Sequence, residues 1–462
     1  MTQEQTSSAA PALLTRLNAR GFRLVQAMDA LAVVGILVGA MVVQFGWAWP
    51  TYSMSSYAAS FAVFTLVFLL SFYFGGLYDR EPRLGRPSVF PRAVRLTSVA
   101  GGVVAVGNLA ATGVLNALGS QTERAGPLPT SVLVALLVLA PIVVAANRRF
   151  TSYNEQRLQG LPRALLVGTQ REIDKALAHL DVEEAVEAKI VGTTDTVADL
   201  VQAVHRVGAT DVILLAGRFL DQLPSGALRA LDRQDVPIHQ RVTSLETMYG
   251  LQRVRQIGGM PFVKLRAYAV PTSRLRLKRF TDLLWLVVLS PALLGGLLFT
   301  WIYTLAVAGG PVLYRQARVG VDGRHFPLVK FRTMRPDAEA VGGVQWAQKE
   351  DPRVIAACRW VRATRLDELP QVLNILRGEM SLVGPRPERP ELTAQFEAEF
   401  PNYASRHEVP PGLTGLAQIH GRYHTDPEYK LGHDLQYLVN WSPILDFEII
   451  LRTVWVIVTR RV

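Results

Sequence analysis

A single cysteine, Cys358, stands in the 462 residues. No intrachain disulfide is possible, and nothing in the chain demands an oxidising compartment. Acidic residues are also in deficit: 38 Asp and Glu against 49 Lys and Arg leave a formal charge of +11. A basic balance can mean nucleic acid, but no aromatic-studded basic stripe and no zinc-finger spacing accompanies it, so no nucleic-acid partner is expected. The basic residues instead flank apolar runs, as juxtamembrane charges do. The polar, Ala/Ser-rich start, Met1 to Asn18, lacks a short apolar core with a small-residue cleavage site. A cleaved signal peptide is therefore not expected, and residues 1–20 read as a disordered tail.

What the chain has in quantity is apolar sequence, 49% of all residues, with a mean hydropathy of +0.20. Runs near Val25–Trp47, Tyr57–Tyr78, Val94–Leu118 and Ser131–Ala146 predict four membrane spans, a helical bundle over 21–150. Arg16, Arg20 and Arg23 precede the first run. Arg80, Arg83, Arg86, Arg92 and Arg95 join the second to the third, and Arg148 and Arg149 follow the fourth. The other two connections carry only Arg124. The positive-inside rule then places both ends of the bundle in the cytoplasm. Asp29, near an end of its run, receives no role.

From Pro162 the texture changes. "RALLVGT", "AKIVGT", "TDVILLAG" and "DVPIHQRV" read as strands, and "REIDKALAHL", "DTVADLVQAVHRVG" and "SGALRALDRQ" as helices. The alternation predicts a Rossmann-like, parallel α/β domain over 160–265. "VGTQREI" lies where such a fold places its phosphate turn, yet the second and third glycines of G-x-G-x-x-G are missing. The domain reads as structural or regulatory.

"TDLLWLVVLSPALLGGLLFTWIYTLAVAGGP" has about 25 uncharged apolar residues, long enough to cross a hydrocarbon layer of ~30 Å. Ser290-Pro291 falls near its middle, where proline removes a backbone donor. Arg274, Arg276, Lys278 and Arg279 precede it; Arg315, Arg318, Arg324 and Lys330 follow it. Both flanks want the cytoplasmic face, and a straight crossing would export one of them. A break at Pro291, leaving two half-helices that re-enter one leaflet, satisfies both. Ser290 can supply the backbone partner that hydrocarbon does not.

The densest polar signals come next. "RATRLDELPQVLNILRG" sets Asp367 and Glu368 before Pro370, a residue favoured in a first helical turn, with Gly378 placed to end the helix. Taken alone, the two carboxylates read as an acidic cap in the helix's positive field. An ionised carboxylate can also attack phosphorus or hold a hard cation such as Mg²⁺. The surrounding cations favour the second reading: Lys330 and Arg332 in "KFRTM", Arg386 between prolines in "VGPRPERPE", and Arg422 ending "PPGLTGLAQIHGR". Phosphoryl transfer needs mainly positioning and neutralisation of oxygen charge, and separated cations of this kind fit a pyrophosphate.

The stretches "RLKRFTDLLWLVVLSP", "GPVLYRQARVGVDGRHFPLVKFRTM", "RATRLDELPQVLNILRGEMSLVGPRPERPE", "PPGLTGLAQIHGR" and "NWSPILDFEIILRT" resemble, in order, the bacterial sugar transferases. These are polyprenyl-phosphate hexose-1-phosphate transferases, and the preceding bundle and α/β domain resemble the family's long form. The resemblance implies a mainly α, monotopic catalytic domain over 310–462 behind a re-entrant membrane helix at 272–309. It implies transfer of a sugar 1-phosphate from a UDP-sugar to undecaprenyl phosphate at the cytoplasmic membrane, with Mg²⁺. UMP would be released and synthesis of capsule, O-antigen or exopolysaccharide begun. By similarity Asp367 is the nucleophile of a phosphosugar intermediate and Glu368 helps Asp367 bind the metal. The family's basic positions map onto Lys330, Arg362 and Arg386 as phosphate contacts, and its re-entrant turn onto Ser290-Pro291; Arg332, Arg422, Gln316 and Arg318 are further candidate substrate contacts. A homodimer through the bundle or the α/β domain is expected.

Two departures stand out. Arg365 occupies a position where the family usually has a small hydroxyl, and "HGRYHTDPEYK" differs from the family's usual residues there. His420, His424 and His433 raise a zinc reading, but their spacing is irregular for a known site. Asp337 and Glu339 read as a solvated helix start able to add to a Mg²⁺ shell. "FEIILRTVWVIVTRRV" is too short to span and reads as an interfacial helix or one packed on the catalytic domain. The rival readings are a membrane scaffold of polysaccharide assembly, which leaves "LDELPQ" and "VGPRP" unemployed, and a nucleotide-sugar oxidoreductase or epimerase, which the broken glycine motif disfavours.

Overall fold

The structure, a computed structural model, describes residues 24–49, 54–79, 84, 89–117, 129–182, 188–234, 236–243, 255–257, 260–265, 270–335, 351–400, 403–420 and 426–459. The tail 1–20, Asp337, Glu339, Arg422 and His424 lie outside these. The chain divides into two compact units, Met1–Ala267 and Tyr268–Val462.

In the first unit, α1 (Leu24–Phe45), α2 (Met54–Phe74), α3 (Val89–Ala117) and α4 (Thr130–Gln159) correspond to the four expected runs. All four are long and apolar enough to cross a membrane. Residues repeating every three or four positions build their common seam: Val33, Leu37 and Met41 of α1, Phe61, Phe64, Phe68 and Phe72 of α2, Ala93, Leu96, Ala100 and Val104 of α3, and Val132, Leu136, Ala140 and Val144 of α4. Small residues on α3 and α4 let the backbones approach, which matters where lipid offers no hydrophobic drive. Asp29 faces the bundle. Its carboxylate accepts from Tyr78 Oη at 3.0 Å, Asn147 Nδ2 at 3.1 Å and Arg148 Nη2 at 2.7 Å. The fourth helix overruns its apolar stretch and reaches Gln159, where Gly160 (φ 69°) follows. The segment "RRFTSYNEQRLQ" holds no breaker, so hydropathy marks the edge of the hydrocarbon and not the end of the helix.

The α/β part runs β1 (Arg163–Val167), α5 (Gln170–Val182), β2 (Lys189–Thr194), α6 (Leu200–Val207), β3 (Asp211–Leu214), α7 (Arg218–Asp221), α8 (Ser225–Arg233), β4 (Ile238–Arg241), β5 (Arg255–Ile257) and β6 (Met260–Leu265). Its sheet has the order β2-β1-β3-β4-β6-β5. The first four strands are parallel and the β6-β5 edge is antiparallel. Within the α/β class this 2-1-3-4 order is the other common doubly wound arrangement, not the 3-2-1-4 order of dinucleotide folds. Leu165 and Val167 pack with Leu200 and Val204 of α6 and Leu231 of α8, while Ala164 and Leu166 pack with Ile173 and Ala176 of α5. Burial on both faces explains the unbroken apolar strands. Leu84, from the arginine-rich connection between α2 and α3, is fully buried in the second cluster. At the turn after β1, Glu172 Oε2 accepts from Thr169 N and Thr169 Oγ1, both at 2.9 Å, and pairs with Arg218 at 2.6 Å. This capping box puts the chain's own carboxylate where a phosphate would sit.

The second unit begins with α9 (Thr272–Ala308), 37 residues with Pro291 inside. The helix runs on through Ser290-Pro291 where two half-helices were expected. Proline 291 has no N–H for the carbonyl of Val287, four residues back, and Ser290 Oγ donates to that carbonyl at 2.7 Å. The missing bond is thereby replaced. A β7–β8 hairpin follows (Leu313–Val319 and His325–Phe331, Leu313 opposite Phe331). Then come α10 (Arg359–Ala363), a 3₁₀ turn (Leu366–Gln371), α11 (Val372–Arg377), β9 (Ser381–Val383), α12 (Pro390–Glu399), β10 (Gly412–Thr414), α13 (Leu416–His420), α14 (Pro427–Asn440) and α15 (Pro443–Thr459). β9 and β10 pair in parallel.

Buried polar anchors tie α9 to this domain. Lys278 Nζ lies 3.0 Å from Asp446 Oδ2, and Asp282 accepts from Ser381 Oγ at 2.7 Å and from Leu382 N at 3.2 Å. The Trp285 ring stacks on Phe447 at 5.5 Å. Helix α15 buries Asp446 and Ile449 and exposes Ile444, Phe447, Leu451, Val454 and Trp455. It is thus packed on the domain by one face and apolar on the other.

Candidate active site

The site is assembled by the junction of β8 with the 3₁₀ turn. Asn374 of α11 is fully buried; its Oδ1 accepts from Val329 N at 3.1 Å and its Nδ2 donates to Pro327 O at 2.8 Å. These bonds to β8 bring the neighbouring Lys330 to the turn that carries the acidic pair. The turn starts earlier than Pro370 implied: Asp367 and Glu368 sit inside the 3₁₀ segment, and the α-helix proper begins at Val372.

The two carboxylates are both buried but differently partnered. Glu368 Oε1 lies 3.1 Å from Lys330 Nζ and 3.5 Å from Arg386 Nη2, and its Oε2 lies 3.8 Å from Arg365 Nη1. Asp367 makes no ion pair among the described residues. Its titration follows from this. Burial, then the charge of Glu368, push Asp367 up to about 6, against the pull of Lys330 and Arg362. Burial also opposes the charge of Glu368, but Lys330, Arg386 and Arg365 outweigh it and bring Glu368 down to about 2. Such pairs titrate as a unit, and the direction of the split is set by who holds the cations.

A cleft opens here, lined by Arg318, Lys330, Glu368, Gln371, Arg386 and Pro387. Arg318 is brought to it from β7. Burial first, and the nearby Arg386 second, lower Arg318 to about 10. Gln316 accepts from Arg318 Nη2 at 2.8 Å and so orients it. Arg362 lies close enough to bias Asp367. Arg332 is placed elsewhere: β8 ends at Phe331, and the guanidinium donates to the carbonyls of Ala308 and, at 2.9 Å, Gly309 at the end of α9. It secures the helix C-terminus. His420 and His433 stack at 5.3 Å.

Two residues escaped the sequence reading. Gln418, in the quoted "GLAQIHGR", accepts from Arg386 Nη1 at 3.2 Å. The buried Arg406 donates to the carbonyl of Arg386 at 3.0 Å and pairs with Asp434 at 2.7 Å. A second cavity behind the loop, at Glu388, Tyr403, Arg406 and Asp434, is thus filled with mutually paired charge. Gln418 lies in the five-residue α13 and Arg406 in a 3₁₀ turn (Tyr403–Glu408), and elements this short carry no periodicity to say which side chain turns inward.

Mg²⁺ takes few protein ligands, usually one or two carboxylates, and completes its octahedron with water and phosphate oxygens. The donor set fits that habit: Asp367 is an unpaired buried carboxylate and Glu368 is adjacent. No set of three metal-ligating side chains gathers among the described residues.

The buried acidic pair, split by cations and packed beside a long apolar helix, brings together the groups that phosphoryl transfer uses. Comparison with known proteins gives this arrangement a family. Residues 273–460 match the family model described as bacterial sugar transferase. The chain is 30% identical to the UDP-glucose:undecaprenyl-phosphate glucose-1-phosphate transferase of Xanthomonas campestris pv. campestris, over 97% of this chain and 96% of that protein. It is 35% identical to the Klebsiella pneumoniae enzyme of the same name, over 54% of this chain and 59% of that protein. It is also 40% identical to the UDP-N-acetylgalactosamine-undecaprenyl-phosphate N-acetylgalactosaminephosphotransferase of Aeromonas hydrophila, over 40% and 44%. The chain belongs to the bacterial sugar transferase family.

Proposed function

We propose that the protein is an enzyme that moves a sugar 1-phosphate from a UDP-sugar to undecaprenyl phosphate, releasing UMP and beginning the synthesis of a capsule, O-antigen or exopolysaccharide. The observation that carries this reading is the unequal partnering of the dyad. Glu368 is held by cations, so Asp367 is the carboxylate free to act as nucleophile. An Asp367 oxygen attacks the sugar-bearing phosphorus, and the bond to the bridging oxygen breaks. UMP leaves with that oxygen, and an acyl phosphosugar remains on Asp367. An oxygen of the lipid phosphate then attacks the same phosphorus and returns the carboxylate. Lys330, Arg386 and Arg318 neutralise phosphate oxygens through both steps. Mg²⁺, held by Asp367 and Glu368 with the donor's phosphates, would add further charge neutralisation.

The membrane setting agrees with this. Arg279 donates to the carbonyls of Ile375 and, at 2.9 Å, Leu376; Gly296 lies against Leu369; and Tyr303 Oη donates to Ala357 O at 2.8 Å. Both halves of α9 therefore lean on the same catalytic segment. A bend at Pro291 within the continuous helix would return it to the cytoplasmic leaflet, and these contacts favour that over a straight crossing that parts its two ends. In the first unit Leu84 is buried in the α/β core, and its place among the arginines of the sequence supports reading that core as cytoplasmic. The capping box at Thr169 and Glu172 leaves the oxidoreductase reading without its phosphate seat. A scaffold would have no use for the dyad. The experiment is release of UMP from a panel of UDP-sugars by membranes containing the protein, with Mg²⁺ and polyprenyl phosphate. Release with at least one hexose donor supports the reading, and its absence with all of them refutes it.

A further inference from the structure

Arg365 has a left-handed backbone, φ 58° and ψ 20°, two residues before Asp367. A chain leaving a helix in this conformation ordinarily uses glycine, as Gly378 does after α11 with φ 82°. Among the described residues Asp322 is the other non-glycine case, and it sits in the β7–β8 turn, where aspartate tolerates the conformation. Arginine has no such excuse. Strain of this kind is retained where the surroundings fix it and clusters at working sites.

The surroundings do fix it. Arg365 N–H donates to the carbonyl of Arg362 at 3.0 Å, and its own carbonyl accepts from Glu368 N–H at 3.1 Å. The reversal at this residue therefore sets the direction of the turn that bears both carboxylates. The side chain makes a second link to the same turn. Lys330 and Arg386 address Oε1 of Glu368, whereas Arg365 Nη1 stands 3.8 Å from Oε2. Glu368 is thus held at both oxygens, from three directions.

We infer that Arg365 is a positioning residue: its backbone turns the two neighbouring carboxylates toward different partners, and its guanidinium anchors Glu368 so that Asp367 faces the donor. The inference rests on the transferase reading above. Arg365 touches no reacting atom in this account and acts through the dyad.

Three variants separate backbone from charge. Arg365→Gly keeps the left-handed turn and deletes the cation. Arg365→Lys keeps a cation and the β-carbon. Arg365→Ser keeps the strain without the cation. The readout is exchange of labelled UMP into UDP-sugar in membranes without lipid acceptor, followed as kcat per folded molecule and donor KM. Arg365→Gly should lower kcat by about tenfold to a hundredfold with a smaller change in KM. Arg365→Lys should recover most of the rate, and Arg365→Ser, which brings the small hydroxyl usual in the family but no cation, should fall below it. A purely structural role would lower the amount of active enzyme and leave kcat per folded molecule in place. Unchanged kcat per folded molecule in Arg365→Gly would overturn the inference. Where the glycine variant does not accumulate, Arg365→Lys decides alone: a loss equal to that of Arg365→Ser overturns the anchor. If the wild-type protein shows neither exchange nor UMP release, the transferase reading has failed instead.

Discussion

Lys330 Nζ and Glu368 Oε1 lie 3.1 Å apart, and this ion pair gives two adjacent carboxylates unequal partners. Asn374 makes the pairing possible by fastening α11 to β8 through Val329 and Pro327. Glu368 is thereby held by cations, while Asp367 makes no ion pair among the described residues.

The dyad variants should move stability in opposite directions. Asp367 titrates near 6 in the folded protein and near 3.9 when unfolded. The folded state holds its proton more tightly, so the ionised group costs stability above pH 6, and the cost fades as pH falls toward 4. Asp367→Asn should therefore unfold at a higher temperature than wild type at pH 8, with the difference shrinking toward pH 4, and show no UMP exchange. Unfolding in detergent at both pH values checks it; an inactive Asn variant destabilised at pH 8 would speak against the raised pKa.

Glu368 is the reverse case. With its folded pKa near 2, it contributes stability above its unfolded value near 4.3, lost as pH falls through 2. Glu368→Gln should cost about 2–3 kcal/mol at pH 7, part of it from leaving Lys330 and Arg386 without their partner. The same unfolding series measures it. A stable Gln variant at neutral pH would contradict the pairing.

The pH dependence of exchange follows from Asp367. Attack needs the ionised carboxylate, so the rate should rise with pH through about 6 and level off above 7. An acid limb near 4, typical of a free carboxylate, would mean that burial does not govern the nucleophile.

Sequence patterning made the spans readable because burial repeats every three or four residues along α1 to α4, and the strands because both faces of the sheet are covered. The β5–β6 edge was missed, although "QIGGMPFVKL" offers a Gly-Gly turn signal between short apolar runs. Arg332 illustrates a different failure. Two residues from Lys330 on a strand means the same face, but β8 stops between them, and the guanidinium turns to the end of α9. Gln316 and Arg318 are two apart on β7, and Arg386 reaches the same cleft from a distant stretch by tertiary contacts that no local pattern encodes. Arg365 was visible as an oddity of the motif; only the backbone dihedral shows why a side chain there matters.

Ser290 should matter to the membrane helix and not to the chemistry. Ser290→Ala leaves the Val287 carbonyl without the donor that replaces the one proline lacks. The expected cost is about 1–3 kcal/mol in unfolding, with exchange per folded molecule unchanged. Wild-type stability would mean that another group satisfies that carbonyl.

Topology is open to cysteine labelling, since Cys358 is the one native thiol and is buried. Thr272→Cys and Arg315→Cys flank α9 and are exposed. Both should react with a membrane-impermeant maleimide only after the cytoplasmic face is opened. Labelling of Arg315→Cys in intact cells would mean that α9 crosses the bilayer.

The most direct measurement is chemical. Membranes are given UDP-sugar labelled in the sugar-bearing phosphate, without polyprenyl phosphate, then quenched, and the protein is mapped for bound label. The account predicts label on the peptide carrying Asp367, absent from Asp367→Asn and discharged by added UMP or polyprenyl phosphate. Efficient transfer to added lipid with no labelled protein, or with label on another residue, would contradict it.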